Sequence, residues 1–225
     1  MKPELFADTV LFSIGGVVPI TRTIVGSIAT SLLVLTCCRM LASAIADDPG
    51  GRAAAAGRLT FRFLRDLVVD AAGRPSPVLE VFAGTLFLFI AGAAVIGQLP
   101  GIPAPTSNLP AASALAALVF VAVPVAGIRA QGVGGYLKHY FRPNPLLFPL
   151  HLVSELSRTL ALALRLFGNM MSGHLVVALL VALAGVVVPV PLMALDLLIG
   201  LLQAYIFTIL ACVYVGAAIR VGEEG

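Results

Sequence analysis

Charge is scarce in this sequence: only 11% of its 225 residues are Asp, Glu, Lys or Arg. A water-soluble domain carries about 25%, so the solvating surface of such a fold is missing. Hydrophobic residues make up 60% of the chain and the mean hydropathy is +1.05, which excludes a soluble globular domain. The formal net charge is only +3. Most basic residues lie between apolar runs, a pattern of membrane orientation rather than nucleic-acid binding. Cysteine is scarce as well. Cys37, Cys38 and Cys212 sit inside apolar runs without metal-ligand or redox spacing, and read as small apolar helix residues. Three histidines without supporting cysteines do not suggest a zinc site. There is no P-loop, no HExxH, no GxSxG and no dinucleotide fingerprint. The GVGG at Gly132–Gly135 has Leu137 where a fingerprint would need its last glycine, so it reads as a loop. No soluble-enzyme chemistry, cofactor or metal is expected. A basic start is missing too: Lys2 is outweighed by Glu4 and Asp8, so no cleavable signal is expected and the spans direct their own insertion.

What remains is a series of apolar runs, each near the 20 or so residues that a helix needs to cross a bilayer. They cover about Thr23–Ala46, Val78–Gly97, Ala111–Ile128, Leu147–Ala184 and Leu192–Ile219, with a short apolar lead-in over Val10–Ile20. The expected fold is an all-α membrane protein of about five membrane helices, the last two long and tilted as a hairpin. One membrane domain fills the chain. Residues 1–75 hold the first span and a basic loop, residues 76–145 the two middle spans, and residues 146–225 the hairpin. The fourth run measures roughly 55 Å if wholly helical, so it must tilt, lie partly at the interface or break. Arg52, Arg58, Arg62, Arg65 and Arg74 mark the loop Asp47–Pro75 as cytoplasmic, and Arg129, Lys138 and Arg142 do the same for Arg129–Pro145. The loop Gln98–Pro110 carries no charge and is rich in proline. Positive loops stay inside, so the N-terminus is expected outside and the C-terminus in the cytoplasm.

Charges inside the last two runs set the function. Placing one at mid-membrane costs at least about 2.5 kcal/mol, so such residues face a partner or a watery cavity. Glu155, Arg158, Arg165, His174 and Asp196 are of this kind, with Asn169 and Gln203 beside them. Glu155 and Arg158 lie near the start of their run, where an i,i+3 interfacial pair is the alternative reading. Arg39 and Arg220, near helix ends, are expected to snorkel. Arg165 has apolar neighbours on both sides and no such outlet. At about 100° per residue, Arg158, Ala161, Arg165, Gly168, Asn169, Ser172 and Val176 share one stripe. Small residues let a second helix approach closely in lipid. On the last run Asp196, Gly200, Gln203 and Phe207 share a face. The prolines of GVVVPVP, Gly185–Pro191, disfavour helix through the turn. The pairs 165/203 and 174/196 share a midpoint near Gly185, so one antiparallel register sets both. His174 then lies roughly 13 Å along the helix from Arg165.

Two of these segments are recognisable. ELSRTLALALRLFGNMMSGHL, Glu155–Leu175, resembles the hallmark helix of subunit a of F-type ATP synthases, and LQAYIF, Leu202–Phe207, resembles the matching segment of that family's last helix. GTLFLFI, PGIPAPT and GVGGYLKHYFRPNP fit as well, so the likeness spans about Val78–Val215 and weakens toward the N-terminus. The resemblance implies that Arg165 takes the place of the family's essential arginine. It matches Asn169 to a hydrogen-bonding neighbour and Gln203 to the glutamine facing the arginine. It makes His174 and Asp196 complementary partners that could relay protons, and leaves Glu155 and Arg158 for a cytoplasmic half-channel. Gly168 and Ser172 would face a ring of small carboxylate-bearing subunits. The family commonly carries an asparagine near Ala94 and an acid near Asn108, and this chain has neither.

By that likeness the chain carries H+ or Na+ through two offset half-channels to and from the ring. The implied partners are the c-subunit ring, the peripheral stalk (subunit b), the catalytic head through the complex, and membrane lipid of a bacterial inner membrane. The chain would catalyse nothing itself. A secondary ion-coupled transporter is the rival reading, but it calls for paired interrupted helices and internal symmetry, and neither is visible. A non-transporting scaffold would leave Arg165 without a task.

Overall fold

A computed structural model describes residues 10–14, 18–48, 50–73, 75–98, 104–141, 148–185 and 187–220. The two ends, Arg74 and most of the proline-rich loop lie outside the described residues, as do the arginine and prolines after the third span. Strands β1 (Val10–Ile14) and β2 (Val18–Thr21) pair antiparallel. They give the apolar lead-in a hairpin form that leads directly into α1 (Arg22–Asp47). Five helices are long and apolar enough to cross a membrane, as the sequence predicts. Within α1 the hydroxyls of Thr30, Ser31 and Thr36 donate to carbonyls four residues back, at 2.7–2.8 Å. That back-bonding satisfies polar side chains where no water is at hand.

The expected basic loop after α1 is instead a helix, α2 (Arg52–Ala72). Its apolar residues are spread too thinly for a span, but Ala54, Gly57, Leu64, Val68 and Ala72 recur at helical spacing and are buried. An amphipathic helix of this kind lies on a surface rather than across it. It closes on Gly73, whose N–H donates to Val69 O at 2.7 Å. Arg220 is exposed at its helix end and has a partner as well: its Nε donates to Ala72 O at 3.0 Å, so the side chain caps α2 and ties the ends of α2 and α6 to one level.

Helix α3 (Pro77–Gly97) starts with proline at its first turn, where the missing N–H costs nothing. After a 3-10 turn at Pro105–Ser107, α4 (Leu109–Phe141) continues into the segment read as the loop Arg129–Pro145, as far as Phe141, the last of its described residues. Gly132, at φ 75° and ψ 163°, breaks the helix geometry there. Only a residue without Cβ takes that conformation cheaply, so the glycine cluster makes a kink rather than a loop. Helix α5 (Phe148–Ala184) is continuous over 37 residues, which settles the fourth run as unbroken. Its C-terminus is set by Gly185, at φ 77°, whose N–H donates to Val181 O at 3.1 Å. That left-handed cap is the usual way to stop a helix, and α6 (Val190–Arg220) follows at once.

Helices α3 and α6 form the centre. Leu86, Ile90, Ala116, Leu166 and Phe207 make one core cluster, and Val68, Ala72, Leu79, Cys212 and Val215 another. A Cβ on Gly200 would stand 2.7 Å from that of Ala94. The two backbones therefore touch through small residues, as lipid-embedded helices do. By contrast only 11% of the most apolar window of α5 is buried, as is the case for α1, against 44% for α6. Most of α1 and α5 is left for lipid or something else outside this chain.

Candidate functional site

Three side-chain contacts fix how α5 folds back on α6. The Arg158 guanidinium lies 4.1 Å above the centre of the Tyr214 ring. Met170 Cε is in reach of Gly200, and the Asp196 carboxylate rests on Gly173. The midpoint of each pair falls within about a residue of Gly185, so the antiparallel register expected from the pairs 165/203 and 174/196 is the one adopted.

Helix spacing then sorts the stripe. Leu162, Ala163, Leu166 and Met170 are buried, while Arg158, Ala161, Arg165, Gly168, Ser172 and Val176 are exposed. A Cβ on Gly168 would meet nothing within 4 Å. Arg165 thus emerges beside an open notch on the uncovered side of α5. No hydrogen bond or ion pair holds its guanidinium among the described residues. Two amides have idle donors: the buried Nδ2 of Asn169 and the buried Nε2 of Gln203 have no hydrogen-bond partner. Gln203 is 6% exposed, turned into the bundle, and makes no hydrogen bond to Arg165. Ser172 spends its hydroxyl on Asn169 O at 3.0 Å. Glu155 and Arg158 do not form an ion pair among the described residues, since the arginine turns to Tyr214 across the hairpin.

His174 and Asp196 do come together, by an indirect route. His174 Nε2 is 3.1 Å from Gly97 O, and Asp196 Oδ2 accepts from Gln98 Nε2 at 3.0 Å. The two groups share no direct hydrogen bond. Consecutive residues at the C-terminal end of α3 join them, and a helix C-terminus is where carbonyls lie free to accept. A carbonyl can only accept, so the ring nitrogen facing it, Nε2, is the donor. The carboxylate approaches so closely because position 173 is glycine: a Cβ there would stand 1.9 Å from Asp196 Oδ1.

Gln98 and Gly97 escaped the sequence reading because they end an apolar run and resemble loop residues; the single amide at the end of α3 was the available signal. Tyr214 was missed as one aromatic among apolar neighbours. Ala94 is buried against Gly200, so no polar lining arises there. Polar groups appear instead one turn on and in the following segment: Gln98, the buried Thr106 hydroxyl without a hydrogen-bond partner, and Asn108, whose Nδ2 donates to Thr23 Oγ1. Among the described residues no cluster of His, Cys, Asp or Glu could hold a metal ion.

A chain with these spans, this hairpin and this arginine has close relatives. Residues 22–216 match the family described as ATP synthase A chain. ATP synthase subunit a 2 of Bradyrhizobium sp. strain BTAi1 is 41% identical over 232 aligned positions covering 100% of both chains. ATP synthase subunit a of Legionella pneumophila is 36% identical, covering 99% of this chain and 96% of that one. ATP synthase subunit a of Albidiferax ferrireducens is 52% identical over 139 residues, 62% of this chain and 60% of the relative. With a match over most of its length, and a relative aligned from end to end, the chain belongs to the ATP synthase A chain family.

Proposed function

We propose that this protein is the ion-translocating stator subunit of a rotary ATP synthase and that Arg165 separates its two half-channels. The observation that carries this is the exposed guanidinium at the middle of a membrane helix, next to the open notch at Gly168. Guanidinium stays charged at any accessible pH, so it cannot hand a proton across. It attracts a ring carboxylate and favours its ionised form, which releases the ion carried there. The idle amide donors of Asn169 and Gln203 are buried, so the guanidinium alone faces that carboxylate.

The partner on the uncovered face of α5 is the c-subunit ring. The peripheral stalk and, through the complex, the catalytic head complete the assembly. The outer half-channel runs by His174, Gln98 and Asp196, with the imidazole as its proton carrier. Glu155 and Arg158 line the cytoplasmic one. Arginines after α1 and after the third span support an orientation with the N-terminus outside and the C-terminus in the cytoplasm of a bacterial inner membrane. Nothing in the helix arrangement favours the secondary transporter, which would need a repeat.

In inverted vesicles containing the assembled complex, Arg165→Ala is expected to abolish ATP-driven ion pumping while the subunit stays inserted and assembled. Full coupled pumping by that variant would refute the barrier role.

A further inference from the structure

We infer that the α1–α2 junction is a binding site for one anionic phospholipid, with its phosphate on Arg58, Arg62 and Arg65 and an acyl chain in the groove beside α1. Two contiguous concavities carry this. The first, about 310 Å³, is lined by the three arginines with Ile45 and Phe61. The arginines stand at i, i+4 and i+7 on α2 and so share one face; their aliphatic stems wall this volume, which leaves the charged ends at its edge. Arg62 and Arg65 are exposed, and among the described residues neither is held by a carboxylate. The second concavity, about 400 Å³, shares Ile45 and Phe61 with the first and continues along α1 past Leu41 and Cys37 to Leu33. It is apolar throughout apart from Thr60 and the thiols.

Charge at one end and hydrocarbon along the rest is the profile of a lipid, and the dimensions agree. From Ile45 back to Leu33 is roughly 18 Å along the helix, close to one leaflet of a hydrocarbon core about 30 Å thick. The charged end lies at the level where α2 rests and where Arg220 joins α2 to the end of α6, which is the interfacial depth of a phosphate. Basic pockets between membrane helices recognise anionic headgroups through charge-assisted hydrogen bonds. Nothing in the ion path uses this surface: Arg165, His174 and Asp196 all lie on the α5–α6 hairpin.

The test uses the intact complex in nanodiscs of phosphatidylcholine with a minor fraction of phosphatidylglycerol, counting retained phosphatidylglycerol by native mass spectrometry. The wild-type subunit keeps one copy that Arg62→Gln with Arg65→Gln loses, a fall in retention on the order of tenfold. Ala42→Trp fills the tail groove without touching a charge and lowers retention too, which guards against misfolding of the arginine variant. Millimolar inorganic phosphate does not compete. Equal retention by wild type and both variants overturns the proposal. So does displacement by inorganic phosphate with no effect of Ala42→Trp, which would make this a free-phosphate site. Loss of the peripheral stalk from the arginine variant, with lipid count unchanged, would make the face a protein-docking surface and overturn it equally.

Discussion

At the scale of single residues, the polar atoms that stay unsatisfied or indirectly joined carry the most information. Gln98 is the clearest case. Its Nε2 holds Asp196 at 3.0 Å, and an amide bond to an ionised acceptor contributes about 1.5–3 kcal/mol. Gln98→Leu is therefore expected to slow ATP-driven pumping about tenfold or more. The same substitution should cost little further in an Asp196→Asn background, because the bond it removes no longer bears on a carboxylate. Additive losses in that double-mutant cycle would separate the two residues. His174→Ala and Asp196→Ala belong in a parallel cycle, since both groups hang on adjacent residues of α3; a double variant no worse than the poorer single one marks a common unit. Sequence alone named Arg165, Asn169, His174, Asp196 and Gln203, because a charge or amide inside an apolar run stands out. It could not name Gln98 or the Gly97 carbonyl. One lies at a run's end, where polar residues are ordinary, and the other contributes only backbone.

Among the elements, periodicity decided what was legible. The five spans were plain from length and hydropathy, and the fold-back at Gly185 from the proline cluster and the shared midpoint of two residue pairs. Helix α2 was hidden because its signal is amphipathic spacing rather than apolar length: Ala54, Gly57, Leu64 and Val68 are buried, yet four arginines raise its charge to that of a loop. The extension of α4 was hidden by its glycines, which mark a kink at Gly132 as readily as a turn. The role of Arg220 was invisible because its acceptor is a backbone carbonyl 148 residues away. Arg220→Met removes that cap between α2 and α6, and the exposed position limits the loss to about 1 kcal/mol. A lower thermal midpoint of the detergent-solubilised complex, with insertion of α6 unchanged, is the expected result. An unaltered midpoint would reduce the contact to an incidental one.

For the whole molecule, the unequal covering of the helices predicts where the rest of the machine attaches. Ser172 shares the exposed side with Arg165 and Gly168. Ser172→Cys is expected to form a disulfide with a cysteine placed near the ring carboxylate, whereas Leu166→Cys, buried in the bundle, is not. Crosslinks from position 166 and none from 172 would reverse the assignment of faces. The unbroken length of α5 has a further consequence. Its membrane segment, Val153–Ala184, is 32 residues, roughly 48 Å of helix to be fitted into about 30 Å of hydrocarbon. It must therefore lean from the bilayer normal, run partly along the interface, or both. Glu155 and His174 are separated by roughly 28 Å along that axis, and any lean resolves this into a part sideways and a part in depth. The helix is a ramp. An ion delivered at one level cannot leave at the other by sinking straight down; it has to be carried across the slope. On the proposed ion path, the fall in the gradient would thereby be turned into sideways displacement by the orientation of a single helix.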